Sequence, residues 1–589
     1  MKKVFVLLLS AALLLSGCSQ PPASENVVAE VTAPSEASVL SADFSREDGD
    51  MFTNRDRSGE YDEASAVHIA LGGSSTVEIT EEGTYILSGT LENGMVVVNA
   101  PDTAKVQLVL NGAHISSETC AALYILRADK VFVTLAEGTE NSLTNGGSFT
   151  PIDGNNIDAA LFSKEDLTIN GSGSLTVASP AGHGIVSKDD LVITGGNLQV
   201  DAASHALDAN NSIRFTGASL QATAGKDGIH CENKEDSSLG FVYISGGKLS
   251  IRSEGDGISA GSNLHITAGS FDITAGGGSE NGTKASSDNW GGFMGGRGGP
   301  GGGRPGQQPG GAPGAPSGDA EQTDSTSMKG IKSGSDLWIS GGSFVINAAD
   351  DALHSNASLT VSGGSFDIAT GDDGFHAEDT LTVQDGTIRI SESYEGLEAL
   401  HVVVSGGDIR LTARDDGLNA AGGTDMSGMT GGRDGMFGRG PGGMSANSDG
   451  TILISGGTLY VNASGDGLDA NGTLEITGGH TTVAGPAQGD TAALDYDISG
   501  TITGGTFLGT GASGMAQTFS SSEQGVISVS AGSQAAGTRI TLADREGRIL
   551  LSFEPELSFQ VVILSSPDII SGEVYTLTIG TQSGEVTAA

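Results

Sequence analysis

The sequence predicts an all-β fold, a β-solenoid of short rungs closed at both ends by caps. Three observations carry this expectation. From Asp351 the chain reads DALHSNASLTVSGGSFDIATGD, then DGFHAEDTLTVQDGTIRISESY from Asp373, then EGLEALHVVVSGGDIRLTARD from Glu395, a repeat of about 22 residues. Within each copy, apolar residues alternate with polar ones, the period of a strand with one buried face. The alternations are separated by Gly-Gly or Asp-Gly turns with no helical stretch between them.

The elements follow in order. Lys2 and Lys3, the apolar run Val4 to Leu15 and the sequence Leu15-Ser16-Gly17-Cys18 form a signal segment over residues 1–17 with a lipobox. The apolar run is shorter than the ~20 residues a membrane span needs. This region is similar to the signal of bacterial lipoproteins, which implies that Cys18 is lipidated and that the membrane is met only through that anchor. The body is then extracytoplasmic, tethered to the cell membrane and displayed at the cell surface. Residues 18–42 are rich in Pro, Ser, Ala and Glu and predict a disordered tether. Residues 43–120 are assigned to an N-terminal cap and first turns, with the acidic stretch Asp43 to Glu63 expected to wrap an end of the body.

The repeats proper align over residues 121–514, about ten rungs, or a rod near 50 Å long at ~4.8 Å per strand. In the copy at Asp373 the inward set is Phe375, Ala377, Leu381, Val383, Ile388 and Ile390. A slip of one residue would turn all of them outward, so the register is well specified. Two Gly-rich insertions, 276–327 and 422–449, interrupt the repeat, and the period resumes after each. Their composition predicts disordered loops. Residues 515–589 lose the register and read as a C-terminal cap of β-hairpins. Cys120 and Cys231 lie about four rungs apart, too far for a disulfide, and are expected as free thiols packed in the core.

The formal charge of -44, from 28 basic and 72 acidic residues, excludes direct binding of nucleic acid or anionic lipid. It also repels acidic polysaccharide unless a divalent cation bridges the two. Stacking turns each repeat position into a column. The opening acidic residue, the corner, gives Asp227, Asp256, Lys329, Asp351, Asp373, Glu395, Asp416 and Asp466, and the preceding position adds Asp350, Asp372 and Asp415. Seven carboxylates, Asp350, Asp351, Asp372, Asp373, Glu395, Asp415 and Asp416, therefore crowd one edge at rung spacing. Like charges so close are destabilising unless some are protonated or a cation sits among them. Calcium, with 6–8 oxygen ligands in loose geometry, suits such a ladder. The plain alternative is that Asp-Gly is a favoured turn pair.

Three positions after the corner, the side chain leaves the core. His354, His376 and Glu398 stand in that column and Glu378 two residues beyond it, a polar face fitted to a repeating glycan or simply to solvent. The histidines lack a close Cys or His set with zinc spacing. Lys329, Lys332, Arg389, Arg410 and Arg414 lie near the acidic rungs and are the residues from which a base for calcium-dependent β-elimination would be drawn, but nothing singles one out. No nucleophile motif and no phosphate loop occur.

The segments YDEASAVHIAL, EEGTYILSGTL, VQLVLNGAHI, SKEDLTINGSGSLTV, HGIVSKDDLVITGG, DGIHCENKEDSSLGFVYISGG and VVILSSPDIISGEVYTLTIG resemble bacterial carbohydrate-binding domain-containing lipoproteins, over about Tyr61 to Gly580. The resemblance implies a right-handed parallel β-helix, bound calcium, and binding of cellulose and of acidic plant polysaccharides such as polygalacturonate. It implies a fold akin to calcium-dependent pectate lyases without established lyase activity. Lys329, His205-Ala206 and both insertions depart from the plain pattern. The expectation is a monomeric, calcium-assisted polysaccharide binder. A pectate lyase and a structural adhesin or spacer are the alternatives.

Overall fold

The computed structural model describes residues 51–284, 327–421, 449–487 and 491–589. The signal segment with Cys18, the tether and most of both Gly-rich insertions lie outside the described residues.

Each rung lays down three strands in turn. In the rung that opens at Asp351 they are Leu353–Ser355, Ser358–Val361 and Ser365–Thr370. Each pairs in parallel with its counterparts in the rungs before and after. In the corner column Leu353 stands on Phe375, then Leu397 and Leu418. In the middle column Leu359 stands on Leu381, then Val402 and Ile452. In the third column Phe366 stands on Ile388, then Ile409 and Leu459. The result is an all-β coil of parallel strands wound about one core, and the whole inward set expected at Asp373 is buried in it. Phe271, Phe344 and Phe366 stack along the core axis with ring centroids 4.6 Å apart, close to the ~4.8 Å strand spacing.

The coil is longer than the sequence predicts. Fifteen strands follow one another in the corner column, from Thr76–Ile79 to Asp495–Tyr496, roughly 65–70 Å of rise. The excess lies partly at the N-terminal end, where strands assigned to the N-terminal cap and first turns coil in parallel: Val67 pairs with Tyr85, and Thr84 with Gln107. Glycine is required before the third column. Gly342, Gly364 and Gly386 take φ of +116°, +106° and +122°, and a Cβ on Gly364 would stand 3.2 Å from the Gly342 carbonyl oxygen in the rung below.

The described part of the acidic N-terminal stretch, from Met51, does not wrap an end and is a strap along the flank of the middle column. Thr53 caps the short helix Asn54–Arg57, and Asp56 closes the capping box. Asp56 is buried, with Lys130 Nζ at 2.9 Å and the Thr168 hydroxyl donating to it at 2.7 Å. Gln107 donates to the Glu60 carbonyl at 3.2 Å, Asn170 to that of Ser58 at 2.9 Å, and Arg214 to that of Met51 at 3.1 Å. Phe52 packs on Tyr243. With Thr194, just past the strand Asp190–Ile193, donating to the Asp56 carbonyl, six successive strands of the column are bridged in this way.

At the other end Phe559–Ser565 pairs antiparallel with Thr506–Gly511, covering an edge that would otherwise stay open. Val526–Gln534 pairs with its other side. Ile549–Phe553, Ile540–Ala543, Val574–Ile579 and Gln582–Thr587 form a separate antiparallel sheet. Cys120 and Cys231 are free and buried, as expected.

Candidate functional site

The corner carboxylates form a hydrogen-bonded ladder. One oxygen of each corner aspartate accepts the backbone N–H of the next corner: Asp256 N–H donates to Asp227 Oδ1 at 2.8 Å, Lys329 N–H to Asp256 Oδ1 at 2.8 Å, Asp373 N–H to Asp351 Oδ1 at 3.1 Å, and Glu395 N–H to Asp373 Oδ1 at 3.1 Å. His205 Nδ1 plays the same part for Asp227 N–H at 3.1 Å. An Asp at the corner therefore satisfies a buried donor that the sharp turn leaves without a strand partner. This much is structural.

The other oxygens carry the charge. All seven acids singled out at this edge, Asp350, Asp351, Asp372, Asp373, Glu395, Asp415 and Asp416, are buried. The edge divides into three stretches by what faces them. At the first, Lys329 Nζ lies 3.1 Å from Asp350 Oδ2 and 2.6 Å from Asp351 Oδ2, so an ammonium stands where a cation would. Burial works against the charge of Asp351, but Lys329 and His354 outweigh it and hold the carboxyl well below its usual range. At Asp350 and Asp351, expected as metal ligands, the protein supplies a counter-charge itself, while Asp350, Asp351 and Asp372 still bring one carboxylate oxygen each within 4.8 Å of one another. Asp372 takes Lys284 Nζ at 2.8 Å, from the described start of the first insertion. Burial, with Asp373 and Asp351 beside it, still pushes Asp372 well above the ordinary carboxylate value.

In the second stretch His376 Nδ1 faces Glu398 Oε2 at 3.0 Å and Asp373 Oδ2 at 3.3 Å. Burial pushes Asp373 up to about 7. Burial and the charges of Glu398, Asp373 and Asp416 raise Glu395 well above its usual value. In the third stretch Asp416, Asp466 and Asp469 bring three carboxylates within 4.8 Å of one another, with Asp415 adjoining. Asp466 and Asp469 are half-buried. Burial, then Asp469, Asp415 and Asp466, drive Asp416 well up, and burial pushes Asp466 up to about 7.

Donor chemistry decides which groups suit a hard cation. The third stretch offers oxygen alone, which fits calcium. Gly465 keeps it open, since a Cβ there would collide with Oδ1 of both Asp415 and Asp416. Asp466 and Asp469 were visible as columns in the sequence but lay outside the set singled out. The structure brings them onto Asp416 by stacking the rungs on either side of the second insertion.

The polar face differs from expectation. His354, His376 and Glu398 do leave the core, yet all three are buried. Their side chains turn onto the corner: His354 Nδ1 meets Asp351 Oδ2 at 2.8 Å, while its Nε2 meets Asn356 Oδ1 at 2.8 Å. Period two says which side of a strand a residue takes, and the pull of a buried carboxylate decides where its side chain goes. These three therefore do not present a surface to a polymer, and only Glu378 is half-exposed. An open polar depression lies nearer the N-terminal end of the same column, lined by Lys188, Asp208, Asn210, His230, Glu232 and Lys234. The cations considered for β-elimination are engaged: Lys329 is buried, Lys332 lies 3.8 Å from Asp256, Arg389 3.9 Å from Asp408, Arg410 2.6 Å from Glu556, and Arg414 donates to the Gly371 carbonyl at 2.8 Å.

The chain is similar to known proteins. A carbohydrate-binding domain-containing protein of Acetivibrio thermocellus is 39% identical over 128 residues, 21% of this chain and 45% of that relative, so the match spans under half of the relative's length. The solved polysaccharide lyase-like protein from C. thermocellum, a gadolinium derivative, is similar at 33% identity over 36% of this chain and 92% of that one, with a TM-score of 0.35. The model of the carbohydrate-binding domain-containing protein family matches residues 73–374 and 371–490. Those stretches take in nearly all of the parallel coil and more than half of the chain, and the protein belongs to that family.

Proposed function

We propose that this protein is a right-handed parallel β-helix, lipid-anchored at Cys18 to the cell membrane and displayed at the cell surface, that binds acidic polysaccharide such as polygalacturonate through calcium. The observation that carries the reading is the all-oxygen cluster of Asp416, Asp466 and Asp469, with Asp415 adjoining. A body of charge -44 repels a polyuronate, and a dication between carboxylates of both partners removes that repulsion. Calcium takes 6–8 oxygens. The half-exposed Asp466 and Asp469 leave part of that shell to water or to a carboxylate of the polymer.

Family membership supports the ligand class. Aromatic platforms do not supply the binding, since the chain has two Trp residues, one of which, Trp290, lies outside the described residues. The test is retention of the chain, as a monomer, on immobilised polygalacturonate and on cellulose, with calcium and with chelator. Calcium-dependent retention on polygalacturonate, weakened by Asp469→Asn, is expected. Equal passage through polygalacturonate with and without chelator overturns the calcium reading. Release of an unsaturated, ultraviolet-absorbing product would mark a lyase instead, and absence of retention on either polymer a structural spacer.

A further inference from the structure

We propose that Asp373, His376 and Glu398, with Glu395 and Asn419 beside them, form a buried centre for a first-row divalent transition metal of the zinc or manganese class. It is chemically distinct from the all-oxygen calcium cluster and does not depend on it.

The geometry comes first. Donor atoms of Asp373, His376 and Glu398 lie within 4.8 Å of one another, and His376 Nδ1 stands 3.0 Å from Glu398 Oε2 and 3.3 Å from Asp373 Oδ2. Metal bonds of about 2.05 Å place neighbouring donors roughly 2.9 Å apart in an octahedron and about 3.3 Å apart in a tetrahedron. The two edges that meet at His376 already stand at such lengths, and the third closes within 4.8 Å. A single Nδ1–H can reach these two carboxylate oxygens only as a bent three-centre bond, whereas one lone pair and two carboxylates can share a metal.

The contrast with the preceding rung is informative. His354 stacks on His376 at 4.9 Å, yet its Nδ1 meets Asp351 alone, its Nε2 meets Asn356, and Lys329 neutralises the carboxylates around it. Around His376 the buried acids are Asp373 of its own rung and Glu395 and Glu398 of the next, at 0%, 8% and 2% exposure. Lys284, which also acts on Asp373 and Glu398 through its charge, sits on Asp372. Two buried polar atoms then lack partners. His376 Nε2 has none, and neither has Oδ1 of Asn419, a residue 7% exposed whose amide nitrogen donates to Glu395 Oε2 at 2.8 Å. An orphaned amide oxygen beside three buried carboxylates is a ligand without its cation. The imidazole selects a borderline metal over calcium. Bound there, the metal links the rung of Phe375 to that of Leu397.

The test expresses the full chain in medium supplemented with cobalt(II), zinc(II) or manganese(II), so that the buried centre fills during folding, and then dialyses it against excess calcium. About one equivalent of metal per chain is expected to remain. Cobalt(II) should show ligand-field absorption, and manganese(II) should show imidazole-nitrogen hyperfine coupling by pulsed EPR, a readout that needs no variant. Glu398→Gln and His376→Asn, checked for folding by circular dichroism, should lower retained metal at least tenfold, while Asp469→Asn should leave it unchanged. Loss of all transition metal to calcium, equal retention in His376→Asn, or a manganese spectrum without nitrogen coupling would each overturn the proposal.

Discussion

At the residue scale, a corner aspartate does two jobs with two oxygens. Oδ1 fills a backbone requirement of the turn, and Oδ2 creates a charge that something must meet. At Asp351 these jobs separate cleanly, because Lys329 reaches up one rung to meet the second oxygen. Lys329→Met leaves Asp350 and Asp351 buried without their ammonium, and a loss of about 3–5 kcal/mol is expected for breaking a buried pair from one side. Adding Asp351→Asn should recover much of that loss, since the amide oxygen still accepts the N–H of Asp373. Equilibrium denaturation of the single and double variants measures both, and a double variant no more stable than the single would contradict the division of labour.

At the element scale, the strap and the acidic edge respond to different conditions. Burial pushes Asp56 up, but hydrogen bonds from Lys130, Thr168 and Thr53 outweigh it and hold the carboxyl down at about 2. A folded value below the unfolded one stabilises above the unfolded value near 3.8, and the gain disappears as pH falls through about 2. The shift corresponds to about 2 kcal/mol. Protease cleavage within 51–60 by an acid-active enzyme should therefore accelerate as pH drops from 4 to 2, and Asp56→Asn should show the fast rate already at pH 4. On the acidic edge, Gly465→Ala pushes a methyl against Asp415 and Asp416. Calcium affinity by calorimetry should fall at least tenfold while the circular dichroism of the coil is kept. Unaltered affinity would place the calcium elsewhere.

At the scale of the whole molecule, the coil is stable only with its ends covered. A chain stopped after residue 514 loses Phe559–Ser565 and exposes the edge of Thr506–Gly511. It should associate edge to edge on size-exclusion chromatography where the full chain does not. The architecture was legible because a period of 22 with alternation in each copy has one geometric solution, and every inward residue read at Asp373 is in the core. The site was legible only as a column of acids. Which acids lack a counter-ion depends on contacts between rungs, such as Lys329 on Asp351, Lys284 on Asp372 and Asn419 on Glu395, that alternation within a strand does not encode. The length of the coil was underestimated at its start because the first rungs depart from the later period: Val106 stands on Val131 and Val131 on Leu167. The strap carries a consequence for the order of events. Residues 51–60 are made before any rung, yet their partners run from Gln107 to Tyr243. They reach their final place only after six strands of the middle column exist, so the earliest part of the folded body to be synthesised is among the later parts to dock, and its docking reports that the rungs beneath it are complete.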